Sequence, residues 1–238
     1  MLAACAAGDL EKLQQLLSAA GAKAGDAPIE STWASYPSQI NPVPSSGPPA
    51  TSALLAHAVI HARPEILAYL LAIYPTAPVN SVLGSALAHP DLAIFKLLLA
   101  RDRSIVNQEF ESGETALMVA CRDGALNSLL PTFLLENGAD PNESGLGLTG
   151  PLVYAIQYGQ PLSLIEKMVK ASAKVRTATL CVAIRARKFD VARYFLDNCR
   201  IEDEENLEKY SRVDVSESGS EEIKKAFDKR VKICAGRR

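Results

Sequence analysis

Along residues 1–200 the apolar positions recur in one order. A Leu is followed three residues later by an Ala and four beyond that by a turn-forming residue. An Ile/Val/Leu-x-x-Leu-Leu run comes next. The clearest copy is ESGETALMVACRDGALNSLLPTFLL (Glu111–Leu135), anchored on Gly124 with Leu117 and Ala120 before it. Further copies anchor on Gly159 (Leu152, Ala155) and Arg187 (Leu180, Ala183). Toward the N-terminus, looser copies anchor on Gly8, Ala62 and Pro90. The two apolar runs of each copy carry helical spacing, so each predicts a helix, a turn and a second helix. The unit is near 33 residues, with one long insertion and two shortened links.

The residue types fit that reading. Thr115 is placed to cap its first helix through its hydroxyl. Ala120 is small where two helices cross, and Gly124 can take the positive φ that ends a helix and reverses the chain. Pro64 and Pro161 suit the opening of a second helix, where a missing N–H costs nothing. Four positions depart from the pattern. Ala62 and Arg187 stand where glycine is expected, which is unfavourable if the turn keeps φ > 0. Pro90 cannot reach φ > 0, so its turn must differ. Pro131 lies in a stretch two residues too long, which predicts a delayed or bent second helix.

With Gly113-Glu114-Thr115-Ala116-Leu117 at one end of a unit and Gly138-Ala139-Asp140-Pro141-Asn142 at the other, the chain resembles the ankyrin-repeat family. The resemblance spans about residues 1–200 and is strongest from Phe110 to Asn142; the His of the family's P-L-H signature is absent from every unit. The tetratricopeptide pattern fits worse, because its Trp and Tyr positions hold Ala or Leu. The resemblance implies an all-α ankyrin-repeat solenoid of stacked helix–turn–helix units with short finger loops, as one elongated domain. Its units fall near 1–21, 51–79, 80–109, 110–142, 143–175 and 176–200, with a Pro/Ser-rich insertion at 22–50. Residues 201–238 are read as an acidic linker, a polar break at Asp214–Ser220, and a helical segment near Glu221–Ile233 that caps the open end of the stack.

Composition sharpens this picture. Of 238 residues 48% are hydrophobic but only 6% aromatic, so Ala and Leu carry the core. The formal net charge is −2, which argues against nucleic-acid or membrane binding by the chain as a whole. The charge is uneven, since residues 101–150 are acidic and 151–200 basic. Five widely spaced cysteines with no C-x-x-C pair suggest reduced thiols used in packing, and no disulfide framework. The start lacks a basic n-region and no long uncharged apolar stretch occurs, so a cytoplasmic or nuclear, monomeric protein is expected. The insertion holds six Pro and five Ser together with Trp33, the only tryptophan, and Tyr36, so it reads as a surface loop or a partner-binding arm.

Chemical motifs are sparse. Gly145-Leu-Gly147-Leu-Thr-Gly150 spells G-x-G-x-x-G, but turn residues precede it where a nucleotide site needs a strand. His57 and His61 would share a helix face, and His89 has in the next unit the offset of His61, yet no complete ligand set accompanies them. No nucleophile or phosphate-binding motif is present, so no enzyme activity, cofactor or metal is expected.

By resemblance, the residues before each anchor and those in the fingers line the binding face of the array. Carried over, they are His61, His89, Arg122, Asp123, Gln157, Tyr158 and Arg185, with Glu111, Ser112, Glu114 and Thr149 from the fingers. Tyr154, four residues before Tyr158, joins this set. Tyr and Arg dominate binding hot spots. The expected role is a non-catalytic scaffold holding another protein on the concave ankyrin face. The alternative is an anionic ligand or nucleic acid on the basic stretch 167–200, although that stretch lacks interleaved aromatics.

Overall fold

A computed structural model describes residues 1–30, 48–110, 112–123, 129–143 and 149–236. Its α-helices alternate with turns, and among the described residues the only β pairing is two isolated bridges. The all-α architecture of paired helices expected from the sequence is what the fold shows. The chain divides into two compact units, Met1–Ile105 and Val106–Arg238.

In the first unit the helices are α1 (Leu2–Ala7), α2 (Leu10–Ala19), α3 (Thr51–Ile60), α4 (Pro64–Ile73), α5 (Leu83–Ala88) and α6 (Leu92–Arg101). The first helices of successive pairs stack in one layer, α1 on α3 and α3 on α5, while α4 packs on α6 in a second layer. Leu13, Leu17, Leu54, Leu55, Leu67 and Leu70 are wholly buried between the layers. Each such side chain contributes roughly 1.5–3 kcal/mol. The ends of the 22–50 insertion meet: the Ile29 N–H donates to Thr51 Oγ1 at 2.8 Å, and the Thr51 N–H donates to the Ile29 carbonyl at 2.9 Å. Trp33 and Tyr36 lie outside the described residues.

The second unit repeats the arrangement with α7 (Ala116–Asp123), α8 (Leu129–Glu136), α9 (Pro151–Gln157), α10 (Leu162–Lys170), α11 (Thr177–Arg185), α12 (Phe189–Asn198), α13 (Leu207–Glu217) and α14 (Glu221–Ala235). One layer runs α7, α9, α11, α13 and the other α8, α10, α12, α14. The sequence predicts a single helix after residue 200, whereas the structure has two, packed on α11 and α12 as a further pair. Helix α13 escapes the periodicity because it turns polar groups inward. Ser211, fully buried, contacts the Cys181 thiol at 3.4 Å, and Asp214 accepts from Arg185 Nε at 2.9 Å. The polar stretch Asp214–Ser220 therefore stays helical to Glu217, with Gly219 at φ 70° making the turn.

One backbone motif makes most of the turns. The residue after the anchor donates its N–H to the carbonyl of the pattern Ala: Asp9 to Ala4, Arg63 to Ala58, Gln160 to Ala155, and Lys188 to Ala183, at 2.8–3.0 Å. This is the Schellman closure, which needs a left-handed residue. Gly8 (φ 80°) and Gly159 (φ 73°) supply it freely, while Ala62 (φ 49°) and Arg187 (φ 56°) adopt it with a side chain. The second helices end the same way at Gly21, Gly138 and, without glycine, Ser172 (φ 72°). Near Pro90 the motif is replaced. His89 takes φ −127°, and Asp91 caps α6 by accepting from the N–H groups of Ala93 and Ile94. Helix α8 is described over Leu129–Glu136, where Pro131 is buried within the helix. Gly124 itself lies outside the described residues.

Asparagine side chains brace the links between pairs in the second unit. Asn107 donates to the Gly138 carbonyl (3.1 Å) and accepts from the Asp140 N–H (2.8 Å). One repeat later, Asn142 bonds the Ser172 carbonyl (2.9 Å) and the Lys174 N–H (2.8 Å) in the same way.

Candidate functional site

Several of the predicted binding residues converge in the second unit. Thr115, buried at the start of α7, accepts from the Met118 N–H at 3.4 Å, the capping its position predicts. This fixes the preceding finger, where the Phe110 N–H donates to the Glu114 carbonyl and Gly113 turns at φ 73°. The finger aims Glu114 at Arg122, whose Nη1 lies 2.8 and 2.9 Å from the two carboxylate oxygens. Tyr154 joins them from α9. Its phenol is held above the usual range first by burial and then by its hydrogen bond to Glu114.

Tyr154 and Tyr158 share one face of the chain, with ring centroids 5.8 Å apart. Tyr158 is 52% exposed, the only aromatic among the exposed large apolar side chains of the described residues. Gln157 is exposed beside it. Ser112 bonds Glu114 at 3.3 Å and Thr149 is exposed. Arg185 is exposed but tied to Asp214, whose side chain is 9% exposed. Burial opposes ionisation of Asp214, yet hydrogen bonds from Arg185 and the Cys181 thiol outweigh it and hold the carboxyl below its ordinary range.

His61 and His89 belong to the first unit, where both are exposed; His61 stacks loosely on His57 with centroids 5.8 Å apart. Glu111, the Asp123 side chain, Gly145 and Gly147 lie outside the described residues. Among the described residues, no three His, Cys, Asp or Glu gather closely enough to hold a metal ion.

Three side chains of this region stand outside the predicted concave-face set, and two of them, Arg187 and Lys188, belong to the basic stretch 167–200. Gln160, 7% exposed, donates from Nε2 to the Cys121 carbonyl at 2.8 Å and fastens the α9 turn to α7. Lys188 extends its ammonium over Gly159, 3.4 Å from where a Cβ would stand, and Arg187 lies over the Phe189 ring at 5.5 Å. Position relative to the turn, invisible to a hydrophobic repeat, is what brings Lys188 over the turn that follows Tyr158. The other cations of the 167–200 stretch go elsewhere. Lys167 and Lys170 end α10, Lys174 and Arg176 stand in a finger, and Arg193 pairs with Asp197 and Glu222. The stretch is not one continuous basic track.

The buried thiols are structural. Cys5 and Cys121 are fully buried, and burial pushes the Cys121 thiol up to about 12. All five cysteines are free. No described helix is long and apolar enough to cross a membrane. A search of curated proteins finds no match to the chain. Residues 83–179 match the family model for ankyrin repeats, in three copies, and over that stretch the chain is similar to ankyrin-repeat proteins.

Proposed function

We propose that the chain is a non-catalytic scaffold that holds another protein on the first-helix face of its second unit. Ankyrin repeats generally mediate protein–protein interaction, and the family is typically non-enzymatic. The observation that carries the reading is the Glu114–Arg122–Tyr154 cluster beneath the exposed Tyr158 ring. The ion pair and the hydrogen bond hold Tyr154 in place, and Tyr154 in turn orients Tyr158, which has no share in the core. A preorganised aromatic beside an Arg is the arrangement that contributes most at interfaces.

The test is affinity capture with mass spectrometry, using the intact chain and the Tyr158→Ala variant side by side. Partners held by wild type and lost by the variant, with unchanged helical circular dichroism, support the reading. Identical partner sets from two equally folded proteins would overturn it.

A further inference from the structure

We infer that the partner presents an acidic, extended segment to the turns of α9 and α11, gripped by Arg187 and Lys188 with Tyr158 as the aromatic anchor. This rests on the binding face proposed above and names the chemistry it selects. The first support is charge. No charged residue occurs between Glu143 and Glu166, and Thr177–Phe189 contains Arg185, Arg187 and Lys188 with no acid. The face shared by α9 and α11, which pack on one another, is therefore uniformly neutral or positive.

The acids that flank this face are already engaged, Glu114 with Arg122 and Asp214 with Arg185. Arg187 and Lys188 have no carboxylate partner among the described residues. Lys188 reaches over the Gly159 turn of the neighbouring repeat, and Gly159 directly follows Tyr158 in the chain. Two adjacent cations and a half-exposed phenol ring thus belong to neighbouring turns, with one ammonium lying over the residue that follows the ring in the chain.

The second support is conformational. Arg187 holds φ 56°, a left-handed conformation that disfavours any residue with a Cβ and that Gly159 adopts at the equivalent turn without strain. Its side chain is exposed and its one aromatic contact, with Phe189, is local. An unfavourable residue kept where its charge projects into solvent points to use of that charge. Carboxylates are the complement, and Arg can take one in a two-pronged hydrogen-bonded pair.

The experiment selects peptides from a displayed random 12-residue library on the full chain, then measures their affinity for variants. Arg187→Gly is the decisive variant, because it removes the charge at a position where glycine relieves strain. Expected are peptides enriched in Asp and Glu, which bind Arg187→Gly and Lys188→Glu about tenfold or more weakly, while the midpoint of thermal unfolding of Arg187→Gly does not fall. Tyr158→Ala should weaken the same peptides. Peptides without acidic enrichment, or insensitive to both charge variants yet lost with Tyr158→Ala, would overturn the acidic partner and leave the binding face standing. Peptides insensitive to all three variants would remove both. Tight binding of a single-stranded oligonucleotide, abolished by Lys188→Glu, would replace the protein partner with a nucleic acid.

Discussion

The side chain of Arg63 lies across Gly8. Its Nε is 3.1 Å from the place a Cβ on Gly8 would occupy, and the same Nε donates to the Ala6 carbonyl at 3.2 Å. Lys188 covers Gly159 in the same manner in the second unit. In both pairs the residue after one turn closes over the turn of the preceding helix pair. Both sites use glycine for its φ, and Gly8 also for the room it leaves.

Gly8→Ala should therefore destabilise the first unit by about 1–3 kcal/mol, from left-handed strain and displacement of Arg63. Urea unfolding followed by circular dichroism reads the change. Arg63→Ala in the Gly8→Ala background should recover part of the loss, because the steric conflict is then gone while the strain remains. Equal stability of Gly8→Ala and wild type would refute the contact.

At Ala62 the sign reverses. This residue holds φ 49° with a Cβ in place, and its side chain is exposed. Ala62→Gly relieves strain of about 1–2 kcal/mol and gives back roughly 0.5–1 through unfolded-state entropy. A net gain of about 0.5–1 kcal/mol in urea unfolding is expected. Ala62→Val should lose stability by a similar or larger margin.

Much of this was legible in the sequence, and the limit is instructive. Leu-x-x-Ala and the anchor residue mark where the chain reverses, because among the described residues the Ala carbonyl and the N–H after the anchor close every such turn except the one at Pro90. That is why Ala62 and Arg187 could be assigned to turns without glycine. Helix α13 was not legible, since its inward face uses Ser211 and Asp214, and hydrogen bonds to Cys181 and Arg185 stand where apolar contacts would have shown periodicity. The candidate face was half legible. Offsets identify Arg122, Tyr154 and Tyr158, but not the link of Arg122 to Glu114, nor that Lys188 crosses to the neighbouring turn.

Asn142→Ala removes both hydrogen bonds that span from one repeat to the backbone of the next. Partial replacement by water keeps the expected loss to about 1–2 kcal/mol. Hydrogen exchange should localise it, with protection falling at the Lys174 amide before it falls in α9. Unchanged exchange at Lys174 would count against the bracing role.

Acid should loosen the C-terminal helix pair through Asp214. Its carboxyl titrates below the ordinary range when folded, so the stability it contributes is complete above the unfolded value, near 3.9. That stability is lost as pH falls through the depressed folded value. Asp214→Asn should lower stability at pH 7 and flatten its dependence between about pH 5 and 2. A denaturant midpoint measured across that range checks both; an unaltered slope in the variant would contradict the assignment.

The clasp between Ile29 and Thr51 has a wider consequence. Two reciprocal hydrogen bonds hold the chain shut at the neck of the insertion, so the passage from α2 to α3 is closed by residues outside the stretch 31–47. Chain closure there grows costlier by only about 0.6 kcal/mol for each doubling of length. The neck therefore works as a socket: a change in length beyond it is met by closure entropy alone at the clasp itself.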